Sequence, residues 1–371
     1  MDRRSFIVKA GTAGLGAAAA SGLAAPAIAQ PRPNTVWRLA SSFPETLETI
    51  HGGARDLARF VAEASEGAFT IEILPPGGDP SRRSLDLVTA GEAELCHTAP
   101  EDYVDRDATF ALAGAVPFML NARGLQAWLY QGGGIDRLNG FFSRQGLVYW
   151  PGGNTGAQMG GWFKREVSAV QDFRGLKMRI GGLGADVMRR LGVRTEPVPV
   201  EGIRTALERG TVDAAEWIGP ADDEALGLLE VAPFYYYPGW WEGSLAPAFL
   251  ISKAAHDALS PGHRSLLATA ARATSLEMLA KYDTRNPAAL RRLVEAGAQI
   301  RPFPQDVLNA SFDAAQSIYA ELRAANAPFR DIFDSISTFR NDTFLYAQVA
   351  EYTFDTFMMI KQREGALAIK R

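Results

Sequence analysis

Leu87-Val88-Thr89-Ala90-Gly91-Glu92-Ala93-Glu94 and Ala206-Leu207-Glu208-Arg209-Gly210-Thr211-Val212-Asp213 share one form. In each, a helix ends at a glycine and a small-residue strand starts two residues later. Glycine at the end of a helix takes the left-handed turn that other residues resist. Working outward from these two copies, short apolar runs alternate with amphipathic ones, which is the pattern of an α/β chain. Strands are expected at Thr35–Leu39, Phe69–Leu74, Ala93–His97, Leu147–Trp150, Gln158–Phe163, Lys177–Ile180, Ala214–Ile218 and Ala248–Ser252. Leu47–Ser65 places Ile50, Ala54, Leu57, Val61 and Ala64 at helical spacing, and Ser81 is placed to cap a short helix. One copy of the helix–glycine–strand step per lobe predicts a two-lobed α/β protein with a cleft between the lobes. The step also occurs in α/β folds of one lobe, so the echo alone leaves both open.

After Leu290 the chain changes character. Asp306–Ala325, Phe329–Phe339 and Thr343–Glu364 read as successive helices with hardly any strand material. Leu345, Val349, Tyr352 and Ile360 form one stripe of the last helix, with Phe354, Phe357, Met358 and Met359 around the rest. A helix apolar on most sides needs cover on most sides, from its own chain or from a second subunit. The expected division is 34–153 plus 248–290 for lobe I, 154–247 for lobe II, and 291–371 for a C-terminal helical segment whose last helix makes a dimer contact.

Composition narrows the function classes. The chain has 371 residues, 47% of them hydrophobic and 22% charged, with a formal net charge of -4. That is ample material for a large core, and it excludes wholesale disorder. With no long Lys/Arg tract, a nucleic-acid surface is not expected. The one cysteine, Cys96, rules out an internal disulfide and a thiolate metal cluster. Residues 1–29 read as a twin-arginine export signal: Arg3-Arg4-Ser5-Phe6-Ile7 leads a soft Ala/Gly-rich stretch, and Ala27-Ile28-Ala29 supplies small residues for cleavage. The mature protein is therefore expected in the periplasm.

The densest run of chemistry-bearing residues spans 150–243. Gly152-Gly153-Asn154-Thr155-Gly156-Ala157-Gln158 reads as a ligand loop or as an interlobe hinge. In Gly175-Leu176-Lys177-Met178-Arg179-Ile180-Gly181-Gly182, Lys177 and Arg179 share one face of a strand. A guanidinium there offers a planar fork to a carboxylate, either a ligand's or an internal acid's. Ala214-Ala215-Glu216-Trp217 puts an acid and an indole at a strand end, where α/β sheets place their ligands. Tyr235-Tyr236-Tyr237 leads to Trp240-Trp241-Glu242, either an aromatic pocket wall or a strand with a buried aromatic face. Glu216 and Glu242 together suit a hard cation. Enzyme signatures are sparse. Gly182-Leu183-Gly184-Ala185-Asp186-Val187 approaches a dinucleotide fingerprint, but its third glycine is Val187 and prolines at 197 and 199 interrupt the approach to Glu201.

Taken with Val36–Pro44, Pro151–Phe163, Gly175–Gly182, Ala214–Gly219 and Tyr235–Gly243, the whole chain resembles the substrate-binding proteins of the tripartite ATP-independent periplasmic (TRAP) transporters. It is most similar to the branch that binds 2-oxo acids such as pyruvate. The resemblance implies a non-enzymatic protein of two α/β lobes closing on a small carboxylate and delivering it to the membrane permease subunits. It implies a carboxylate clamp at Arg179, and a cation, sodium ahead of calcium, held by Gln158, Glu216, the Trp217 main chain and Glu242. Gln158, Asn154, Trp217 and Tyr103 are further expected substrate contacts, and swapped C-terminal helices would make a homodimer. One stretch departs from the branch's pattern. Ala99-Pro100-Glu101-Asp102-Tyr103-Val104-Asp105 brings acids where aromatic residues are expected, which keeps a 2-hydroxy acid such as lactate in view. An exported dinucleotide-dependent oxidoreductase is the alternative from another class.

Overall fold

In the computed structural model, residues 34–75 and 83–366 are described, and all belong to the unit Asn34–Arg371. The expected export signal and the Ser81 cap lie outside the described residues.

Among the described residues, eleven strands form two sheets. In chain order they are β1 (Thr35–Ser41), β2 (Phe69–Ile73), β3 (Leu95–Thr98), β4 (Leu147–Pro151), β5 (Trp162–Phe163), β6 (Lys177–Arg179), β7 (Arg194–Thr195), β8 (Ala214–Ala215), β9 (Phe234–Tyr237), β10 (Ala248–Ser252) and β11 (Gln299–Pro302). The first sheet has the order β2-β1-β3-β10-β4, and the second β11-β9-β5-β8-β6-β7. Both are mixed. β1 runs parallel to β2 and β3, whereas β10 lies antiparallel between β3 and β4. In the second sheet β5 is antiparallel to β8 and β9, while β6 is parallel to β7 and β8. This is a two-lobed α/β periplasmic binding protein fold.

The chain passes between the sheets three times among the described residues: after β4, after β9, and through the helix Pro261–Glu295 that leads to β11. That 35-residue helix is tied to both sides. Lys281 Nζ reaches Asp56 at 2.7 Å and Arg285 Nη1 reaches Thr49 at 2.9 Å, both on the Glu48–Ala64 helix beside the first sheet. On the other side Tyr282 Oη donates to Asp222 at 2.6 Å, and Asn286 accepts from the Ala221 amide at 3.0 Å. Met278 lies fully buried where these elements meet. A Cβ added at Gly53 would stand 2.7 Å from Met278 Cε, and one added at Gly153 would stand 2.3 Å from Met278 Sδ. Those two glycines let two backbones close on one thioether.

The structure decides between one pair of alternatives left open by the sequence and changes one expectation. The Tyr-rich run is strand β9, with Tyr235 and Tyr236 buried and Tyr237 exposed. Beyond residue 327 the chain does not break near 340. Ala327–Ala347 continues through a π-turn at Gln348–Tyr352 into Thr353–Arg363. Asn341 and Asp342 stand between the two expected helices, and on an exposed helix face they cost little. In this last stretch Leu345, Val349, Tyr352 and Phe354 are all more than 60% exposed.

Candidate functional site

Burial alternates along β6. Met178 is buried in the core, and Lys177 and Arg179 turn to the other face. Lys177 is absorbed locally, its ammonium donating to the Gly210 carbonyl. Arg179 faces the cleft and is fixed by main chain: Nε donates to Val198 O at 3.2 Å and Nη1 to Glu216 O at 2.8 Å. The guanidinium lies 5.1 Å above the Trp217 ring, and Nη1 stands 3.4 Å from Glu216 Oε2. The strand ladder explains this convergence. Arg179 pairs with Ala215, so the residues that follow β8 emerge beside the arginine. The Glu216 amide in turn donates to Arg179 O at 3.0 Å.

These residues border a cavity of about 60 Å³. Arg179, Glu216, Trp217 and Glu242 line it together with Glu101 and Asp102, and Phe43, Ile50 and Leu245 add apolar surface. It holds a few waters or a compact organic acid, well short of the several hundred Å³ of a drug-sized site. The dominant charge is negative, four carboxyl groups against one guanidinium. Glu216 is held well above the usual carboxylate range, first by burial and then by the charge of Glu242, with Arg179 opposing. Loss of solvent pushes Glu242 up to about 7, against a hydrogen bond from Gln158 and the field of Arg179. Glu101 is raised as well, by burial and by Glu242.

The expected site residues divide into two groups. Arg179, Glu216, Trp217 and Glu242 share the cavity, and Gln158 stands beside Glu242. Gln158 is buried; its amide nitrogen donates to Thr155 Oγ1 at 3.1 Å, while Oε1 has no hydrogen-bond partner among the described residues. Asn154 and Tyr103 do not line the cavity. Asn154 Oδ1 accepts from the Gly156 amide at 2.8 Å and from Ser244 Oγ at 2.9 Å, which stitches two of the passages between the sheets together. Tyr103 is buried, its hydroxyl within 3.2 Å of Ser84 Oγ and of the Leu85 amide that donates to it. It anchors the 3-10 turn Pro100–Tyr103 and leaves the cavity to Glu101 and Asp102. Those two acids were not named as contacts, although the stretch that carries them was singled out as bearing on the choice of ligand. Their signal was position, directly after the end of a parallel strand.

The donor set fits a hard cation. Glu216 and Glu242 offer carboxylate oxygens, and Gln158 Oε1 is a buried carbonyl oxygen awaiting a partner. Among the described residues no three His, Cys, Asp or Glu side chains form a metal-holding group on their own. The amide and main-chain oxygens would therefore have to complete any shell.

Residues 40–326 match the family of bacterial extracellular solute-binding proteins, family 7. The chain belongs to that family. It is a solute-binding transport protein and not an enzyme. A monocarboxylate 2-oxoacid-binding periplasmic protein of Nostoc sp. is 40% identical over 331 residues, covering 89% of this chain and 91% of the relative. A TRAP transporter solute-binding protein from Bordetella bronchiseptica, a dimer with copurified calcium and picolinate, is 38% identical with a TM-score of 0.87, covering 90% of this chain and 100% of that one. A TRAP periplasmic solute-binding protein from Pseudoalteromonas atlantica, with bound sodium and pyruvate, is 32% identical with a TM-score of 0.82, covering 86% of this chain and 98% of that one. Relatives in this family thus bind small carboxylates alongside calcium or sodium, and the fold is that of a periplasmic binding protein.

Proposed function

We propose that this family 7 protein captures a small 2-oxo monocarboxylate of the size of pyruvate and delivers it to the membrane subunits of a TRAP transporter. The observation that carries the reading is one fixed guanidinium facing several acids across a cavity of about 60 Å³. Arg179 binds the carboxylate edge of the ligand, and its tethers to Val198 and Glu216 hold the fork in place before the ligand arrives. Trp217 lies under the guanidinium and limits the ligand to a flat, compact shape. Gln158, Glu216, Glu242 and the Trp217 main chain would hold the cation. When bound, that cation would supply positive charge to hard oxygen atoms of the ligand, which favours acids bearing an α-oxygen beside the carboxylate. We take sodium ahead of calcium, and titration with each cation tests that order. The exposed apolar stripe at 345–354 supports a homodimer built on the C-terminal helices. Residues 1–29 support export by the twin-arginine route.

Calorimetric titration of the dialysed protein with pyruvate, lactate and succinate, each with and without sodium or calcium, tests this directly. The expected result is saturable, cation-dependent binding of pyruvate and no binding of succinate. Cation-independent binding overturns the bridging role, and preference for lactate moves the assignment to 2-hydroxy acids. No heat from any acid, in a sample shown to be folded, overturns the reading.

A further inference from the structure

Glu101 is built into the cavity wall and has been given no partner there. Only 5% of its surface is exposed, and Oε2 makes no hydrogen bond among the described residues. Room for it has been cleared on two sides. A Cβ at Gly114 would stand 2.0 Å from Oε2, and one at Gly182 would stand 3.1 Å from the Glu101 Cβ. Gly182 opens the helix that follows β6, so Glu101 reaches from the first-sheet side against the element carrying Arg179. Arg179 itself is spoken for by Glu216 and Val198. A buried carboxyl without a partner carries a desolvation cost, which the Glu101 side chain would shed by turning from Gly114 to a donor on a ligand.

From this juxtaposition we infer that Glu101 is a specificity-determining residue that accepts a hydrogen bond from a donor on the ligand's tail. The natural ligand is then a 2-oxo monocarboxylate with a hydroxyl or amide N–H one or two carbons beyond the oxo carbon. The cavity is small enough that a ligand held by Arg179 brings its tail to the Glu101 wall. Charge sets the polarity of the tail. Glu101, Asp102, Glu216 and Glu242 all border this space, so a second carboxylate on the ligand is repelled and a donor is welcomed. A purely apolar tail leaves Glu101 buried and unpaired.

The inference rests on the 2-oxo acid reading, and its test separates the two. Pyruvate and 3-hydroxypyruvate differ only by a tail hydroxyl and are titrated into the wild type, Glu101→Leu and Glu101→Gln, each checked by thermal melting. Wild type is expected to bind 3-hydroxypyruvate at least about tenfold tighter than pyruvate, because a site made to bond a hydroxyl discriminates strongly against its absence. In Glu101→Leu the ratio should fall to within about threefold. Glu101→Gln, which keeps an acceptor oxygen, should retain most of the preference. Equal affinities in the wild type, an unchanged ratio in Glu101→Leu, or an equal loss of both acids overturns the role of Glu101. If folded wild type binds neither acid, the 2-oxo acid reading itself falls, and this inference with it.

Discussion

Arg179 owes its orientation to two carbonyls, with Glu216 Oε2 a longer contact at 3.4 Å, and that makes its geometry hard to imitate. A lysine at 179 would keep the charge but lose the planar fork and at least one of the two tethers. Arg179→Lys is expected to weaken 2-oxo acid binding by about 100-fold, on the order of 3 kcal/mol, while leaving the melting temperature within a few degrees. Paired calorimetric and thermal measurements check it; binding within threefold of wild type would remove Arg179 from the clamp. This residue was legible because a three-residue strand still alternates, and Lys177 and Arg179 had to share a face. Glu216 was legible for its place at a strand end. Glu101 was legible only as an acid in a stretch that departs from the branch's pattern: it sits on a 3-10 turn with no period to read, and its burial depends on glycines 13 and 81 residues away in the chain. Asn154 was correctly singled out as special, but its amide bonds the passages between the sheets.

At the scale of elements, the Pro261–Glu295 helix holds the two halves in register through its contacts with Asp56 and Asp222. Sequence pattern does not announce it. Its buried positions include Ala270, Ala271, Thr274 and Ser275, so the apolar stripe is faint, and Pro287 reads as a stop although the helix runs through it. Tyr282→Phe removes the bond to Asp222 and leaves a buried carboxyl without that partner. It should cost about 1–3 kcal/mol in chemical denaturation, and a loss below a few tenths would count against the tie. The neighbouring acid gives a pH signature. Burial pushes Asp222 up to about 6 and Asp223 up to about 7, although Tyr235 and Trp162 both donate to Asp223. An acid with a folded pKa above its unfolded value favours the folded state most fully below the unfolded value. That stability is lost as pH rises from about 4 through the folded pKa near 7. Denaturant midpoints should therefore fall between pH 5 and pH 7.5, and Asp223→Asn, which carries no titratable group, should flatten part of that fall. A slope unchanged by this substitution would show that Asp223 titrates normally.

Over the whole molecule, the two sheets were foreshadowed by the doubled helix–glycine–strand step, and most strands of the first sheet fall where alternation put them. The second sheet was harder to read. β5 and β8 fall inside expected strands but are only two residues long, β7 is too short for a periodic signal, and β11 arrives from a stretch dominated by helices. The C-terminal helix presents the opposite case: its apolar stripe was plain, and the single chain leaves it uncovered. Val349 is 75% exposed and Tyr352 68%. Val349→Glu is expected to weaken self-association by at least about tenfold, seen by analytical ultracentrifugation, with ligand affinity unchanged. A wild type that sediments as a monomer at all concentrations would refute the dimer.

The thioether of Met278, caught between Gly53 and Gly153, behaves as a bearing. Unbranched and polarizable, it can roll between rotamers while two main chains slide past by fractions of an ångström. A stiff β-branched side chain at the same place would fill the space equally well and make each change of interlobe angle a contest with core packing. Such a protein could hold its solute and still fail as a courier, seized in one posture and unable to hand over its load.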